Sequence, residues 1–176
     1  VKCDLSNEND YGELKVKLKE FTPTVILHCA GSFGSNNQNI DNINFKYFLD
    51  IIMLNSLSII KILSLLSQDQ REKIKIITNI SSEGGSISKN NQGNAYIYRT
   101  SKTALNSITK NLSEDIGKKN KTSVFAIDPG NIKTNMNQKG YMSSDKCAEI
   151  IIDLISNNFD KLNGKFVNLL NKEIPW

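Results

Sequence analysis

One histidine and three cysteines are all that this 176-residue sequence offers to a transition metal or a disulfide framework. Cys3, Cys29 and Cys147 are odd in number, far apart and without a CxxC pair, so neither cross-linked scaffold nor zinc site is indicated and no metal is expected. Long apolar runs are equally scarce. Phe45 to Ser67 is the oiliest stretch, but Lys46, Asp50, Asn55 and Lys61 break it short of the roughly 20 apolar residues that span a bilayer, so a long buried helix is expected and no membrane partner. Charge of one sign is not concentrated either. The formal net charge is +4, and only Lys118-Lys119-Asn120-Lys121 clusters, as a solvated helix end does, which argues against nucleic acid as a partner. No secretory leader pattern heads the sequence, whose first residue is Val1; with unpaired thiols, this makes the cytoplasm the expected compartment.

What is present is enough for one domain with a core: 39% hydrophobic residues, no internal repeat and no second-domain boundary within 1–176. Apolar runs with turn signals alternate with helical patterns. Val1 to Leu5 reads as the end of a strand, followed by a polar cap and a helix to about Phe21, stopped by Pro23. Thr24 to Gly31, Ile74 to Ile80, Thr122 to Ile127 and Lys165 to Leu169 read as further strands. Between them lie helices over about Asn44–Ser67 and Ala95–Lys118, and one after the cap Ser143-Ser144-Asp145. This alternation predicts an α/β fold with a parallel sheet and right-handed crossovers.

Tyr96-Ile97-Tyr98-Arg99-Thr100-Ser101-Lys102 opens the second of these helices and puts a phenol and an ammonium on one face, at Tyr98 and Lys102. A tyrosine titrates near ~10, so acid–base work at neutral pH calls for about 3–4 kcal/mol of preferential phenolate stabilisation, and a cation one turn away is one source of it. Tyr96 has no lysine four positions on. Alone the pair is a common surface pattern. It is accompanied by Asn79-Ile80-Ser81-Ser82-Glu83-Gly84, a strand running into a hydroxyl-bearing turn, and by Asp128-Pro129-Gly130-Asn131-Ile132-Lys133-Thr134, a second strand with a tight turn. Open α/β sheets bind ligands outside the carboxyl ends of their strands, where these turns and the Tyr98 helix converge.

Taken together, these motifs resemble the short-chain dehydrogenase/reductase family, and the Tyr-Arg-Thr-Ser-Lys-Thr-Ala-Leu-Asn wording and Ile-Pro-Trp terminus look closest to its Sniffer and C-factor-like carbonyl reductase branch. The resemblance implies a Rossmann-like doubly wound parallel sheet and hydride transfer between a nicotinamide, NADP or NAD with NADPH favoured, and a small carbonyl or alcohol substrate. It implies Tyr98 as proton donor, Ser82 polarising the carbonyl, Lys102 holding the ribose and lowering the Tyr98 pKa, and Asn55 completing a water relay. Ser81 and Ser86 stay open as alternatives to Ser82, because the spacing to Tyr98 exceeds the usual one. For the cofactor it implies Asp4 near adenine, Ala30 and Gly31 along the backbone, Pro129 and Gly130 under the nicotinamide, and Ile132 with Thr134 at its carboxamide. The family's Asn-Asn-Ala-Gly reads His28-Cys29-Ala30-Gly31 here, so the first two polar contacts differ. A homo-oligomer is also in keeping with the family.

The family's Thr-Gly-x-x-x-Gly-x-Gly phosphate turn is not found in the sequence. Such a turn at a helix N-terminus is the main pyrophosphate site of these folds. The expected sheet is therefore N-terminally truncated: its first two strands are absent, which leaves the Val25 strand with a bare edge. Two rival readings follow. A non-catalytic dehydrogenase-fold subunit has no use for Ser82, Tyr98, Lys102 and Asn55, and a sugar-nucleotide epimerase needs a larger substrate domain than the stretch after Thr134 provides.

Overall fold

A computed structural model describes residues 1–176. Four parallel strands form the sheet: β1 (Val25–His28), β2 (Ile76–Ile80), β3 (Ser123–Asp128) and β6 (Phe166–Asn168), in the order β1-β2-β3-β6. The helices are α1 (Gly12–Glu20), α2 (Phe45–Ile52), α3 (Ser58–Ser64), α4 (Gln68–Glu72), α5 (Tyr96–Leu112), the short α6 (Lys118–Asn120) and α7 (Ser144–Asn158). A separate two-stranded ladder pairs β4 (Ile132–Lys133) with β5 (Met142–Ser143).

The central strands are mostly apolar because both faces are covered, and their alternation feeds two cores. On one face Ile76, Phe125, Ile127 and Val167 pack against Cys147, Ile151, Leu154 and Ile155 of α7. On the other, Ile77 and Val124 pack against Ile59 and Leu63 of α3 and Leu105 of α5. The register pairs Ile80 with Ile127, and Ser81 N–H donates to the Ile127 carbonyl at 2.7 Å. The Ser81-Ser82 and Pro129-Gly130 turns consequently leave the sheet side by side.

Three expectations need correction. Val1 to Leu5 is not a strand: the Asp4 carboxylate takes the Ser6 N–H and hydroxyl, bending the segment into a turn, and no neighbouring strand offers a ladder. The helical stretch over 45–64 is not buried all round. It is interrupted by a π-turn, Met53–Leu57, and while Ile51, Asn55, Ile59 and Leu63 face inward, Phe45, Leu49, Leu57 and Ile60 are exposed. The long helix from 95 to 118 is α5 followed by a second π-turn, Ser113–Gly117. The bare edge of β1 is present as expected, with Val25 and Leu27 partly open to solvent.

Candidate active site

Tyr98 sits in the first turn of α5, and Lys102 follows one turn on, buried against the sheet. Ser82 caps the short 3-10 turn Glu83–Gly85, its Oγ accepting the Gly84 N–H at 3.1 Å. That turn lies directly on α5. A Cβ on Gly85 would stand 2.7 Å from the Lys102 carbonyl carbon, so only glycine lets the two backbones meet. The close approach brings Ser82 and the Tyr98 ring together around Gly84, where a Cβ would stand 3.3 Å from Ser82 Oγ and 3.5 Å from Tyr98 Cε1.

The two serines part company. Ser81 is buried, donates to Asn106 Oδ1 at 2.6 Å and borders the cavity that holds Tyr98 and Lys102, while Ser82 faces the neighbouring cavity. Lys102 Nζ donates to the Ile80 carbonyl at 2.8 Å and lies 6.0 Å from the Tyr98 ring centroid. An ammonium has three N–H donors, so two remain for a ligand. Asn55, fully buried in the Met53–Leu57 π-turn, finds its partners outside its own helix: Nδ2 donates to the Ser32 carbonyl and Ser101 Oγ, and Oδ1 accepts the Ser32 N–H, each at 2.8 Å. Pi-turns recur at functional sites.

Two cavities meet at the Pro129-Gly130 turn. One, of ≈ 530 Å³, is lined by Gly31, Tyr98, Lys102, Ile132 and Thr134, with Cys29 and Phe33 at its wall. The other, of ≈ 740 Å³, is lined by Ser82, Gly84, Asp128, Tyr141, Met142 and Leu169. Seven of the expected site residues thus converge on the smaller cavity or its shared turn, counting Tyr98, Lys102, Gly31, Pro129, Gly130, Ile132 and Thr134. Asp4 and Ala30 line neither cavity, and Asn55 lies behind Gly31, where a Cβ would stand 3.6 Å from its Oδ1.

Burial dominates the electrostatics. It pushes the Tyr98 phenol up, the Ser82 hydrogen bond opposes this, and the Asp128 carboxylate adds to it. The expected lowering of Tyr98 by Lys102 is not seen in this geometry, where Nζ lies 6.0 Å from the ring centroid and desolvation of the phenol is the largest effect. Lys102 itself is brought down to about 8 by desolvation. Asp128 is pushed up by burial, against the pull of the Glu83 and Gly130 backbone N–H groups. His28 is a packed strand-end residue, its Nε2 2.7 Å from Ser58 Oγ, held down to about 4 by burial and then by Lys102.

Three wall residues escaped the sequence: Phe33, whose ring centroid is 4.9 Å from that of Tyr98; Cys29; and Asp128. Asp128 was visible only as the neighbour of Pro129, and Phe33 lies in a polar loop with no periodicity to mark it.

The residues fit the nicotinamide end of a dinucleotide. Gly31 lets backbone approach, Lys102 has donors to spare for a diol, and the Pro129–Thr134 turn closes the cavity. A family model described as short chain dehydrogenase matches residues 1–144. The carbonyl reductase Sniffer of Drosophila melanogaster superposes with a TM-score of 0.86 at 28% identity, covering 100% of this chain and 77% of that one. An NADPH-bound carbonyl reductase from chicken fatty liver gives 0.84 at 24% identity, over 100% and 76%. C-signal of Myxococcus xanthus is 25% identical over 125 residues, 70% of this chain and 75% of that protein. With its parallel sheet, its converging turns and a family match over most of its length, the chain belongs to the short chain dehydrogenase family of NAD(P)-dependent oxidoreductases.

Proposed function

We propose that the protein reduces a small carbonyl compound to its alcohol at the junction of the two cavities, with NADPH as donor. The observation that carries this reading is the convergence of Tyr98 and Lys102 on one cavity with Ser82 on the cavity that adjoins it at the Pro129-Gly130 turn. The smaller cavity would hold NADPH, which would supply the hydride to the carbonyl carbon. Tyr98, kept protonated by burial, gives its proton to the carbonyl oxygen, and Ser82 Oγ–H holds and polarises that oxygen. Lys102 binds the ribose hydroxyls with its two spare N–H groups. It also faces the phenolate left on Tyr98, which is reprotonated from solvent through water and Asn55.

Pro129 and Gly130 would support the nicotinamide face, Ile132 and Thr134 would meet its carboxamide, and Ala30, Gly31 and Asp4 would follow the dinucleotide toward adenine. These residues account for the nicotinamide half of the grip, since no glycine-rich phosphate turn is in the sequence. NADP over NAD is supported by relatives whose solved structures hold NADP or NADPH. Consumption of NADPH by the native protein in the presence of a small aldehyde or diketone tests the proposal. Binding of NADPH with no consumption across such substrates would favour the non-catalytic reading.

A further inference from the structure

Helix α5 starts without a cap of its own. Ala95, at its N-cap position, has φ 49° and no side chain able to accept, so the N–H groups of the first turn need partners from elsewhere. Gln38 provides two of them from about a third of the chain away. Its backbone carbonyl accepts the Tyr96 N–H at 3.3 Å, and its side-chain Oε1 accepts the Tyr98 N–H at 2.9 Å. The other end of the same amide closes a loop: Nε2 donates to the carbonyls of Phe33 and Ser35, each at 2.7 Å. Gln38 is only 3% exposed, and both its donors and its acceptor are engaged. The loop it closes needs Gly34 at φ 89°, where a Cβ would come within 3.3 Å of Gln38 Nε2. That loop also carries Phe33, which lies over Tyr98 with ring centroids 4.9 Å apart.

We propose that Gln38 is a positioning residue for Tyr98: one buried amide holds the first turn of α5 by the Tyr98 N–H and, through its other end, sets Phe33 against the Tyr98 ring. This rests on the reading of Tyr98 as proton donor. Neither arm reaches the carbonyl or the cofactor. The effect is on where the phenol stands relative to Ser82, and a reacting group misplaced by about 1 Å costs on the order of a hundred-fold in rate.

The test compares the native protein with Gln38→Met and Gln38→Glu, reading hydrogen exchange at the Tyr98 amide alongside steady-state kinetics with NADPH and a small aldehyde. In the native protein the Tyr98 amide, bonded to Gln38 Oε1, should be protected, although first-turn amides ordinarily exchange freely. Gln38→Met should speed its exchange by about tenfold or more and leave Lys102 to Asn106 protected. It should also lower kcat by roughly ten- to a hundred-fold with KM for NADPH within about twofold of the parent. Gln38→Glu keeps an acceptor for the Tyr98 N–H and loses the donors to Phe33 and Ser35, so it should retain the amide protection and recover only part of the rate. Unchanged Tyr98 exchange in Gln38→Met overturns the clasp. Accelerated exchange with unchanged kcat overturns its role in positioning. Activity retained in Tyr98→Phe overturns the underlying catalytic reading, and the exchange arm still decides whether the clasp exists.

Discussion

Lys102 Nζ donates its hydrogen bond to the carbonyl of Ile80, the last residue of β2, at 2.8 Å. The bond ties the helix that carries Tyr98 to the strand end that becomes Ser82, and it holds a cation where burial disfavours one. The folded-state pKa of Lys102, about 8, is below its ordinary value of 10.5. The unfolded chain therefore binds the extra proton between those two values, and the stability lost as pH falls through that window stays lost at neutral pH.

Lys102→Met should consequently have opposite effects on stability and function. Below pH 8 the variant gains about 1–2 kcal/mol in unfolding free energy, the relief of a buried charge less the lost bond to Ile80. NADPH affinity and kcat fall together. Urea unfolding with NADPH titration checks both. Unchanged cofactor affinity would contradict the role given to Lys102.

Ser81 and Ser82 should separate stability from rate. Ser81→Ala removes the hydroxyl from Asn106 Oδ1 in a buried setting and should cost about 1–2 kcal/mol with little change in kcat. Ser82→Ala should lower kcat by about 10²–10³-fold, the loss typical of a single oxyanion donor, and leave the melting temperature near that of the parent. The reverse pattern would assign the carbonyl contact to Ser81.

His28 gives an acid limit. It is the sole histidine, and its folded pKa of about 4 lies below the ordinary 6.5, so the unfolded state takes up the proton first as pH drops. Its contribution to stability is intact above pH 6.5 and is lost on acidification toward pH 4. Between pH 7 and pH 5 the loss is about 2 kcal/mol, and His28→Gln should remove it. Parallel stability–pH curves for parent and variant would show that another group is responsible.

Much of the site was legible because its motifs are contiguous. The strand-to-turn wording around Ser82 and Pro129 and the Tyr98–Lys102 spacing locate a crevice before any coordinates, since strand ends and helix faces follow from periods of 2 and 3.6. What escaped depends on contacts distant in sequence. Gln38 caps a helix 58 residues downstream (96 − 38), and a glutamine in a polar loop carries no mark of that. Asn55 is legible as a polar break in an apolar helix, but its partners Ser32 and Ser101 come from two other segments. The direction of the Tyr98 pKa also required depth: sequence puts a lysine one turn away, and only the fold shows that burial outweighs it. The capping box Ser67–Gln70 that starts α4 follows a sequence rule and begins where the expected Asn44–Ser67 helix ends.

The central claim is that Tyr98 delivers the proton, and the most direct measurement is kcat for NADPH-dependent reduction of one small aldehyde by the native protein and by Tyr98→Phe, each with its NADPH dissociation constant. The hydroxyl lies at a cleft position, so its removal leaves the fold and cofactor affinity in place. The predicted result is a loss of about 10²–10⁴-fold in kcat at unchanged NADPH affinity. A variant that keeps most of the parent's kcat would move the acid–base role to another group and contradict the account.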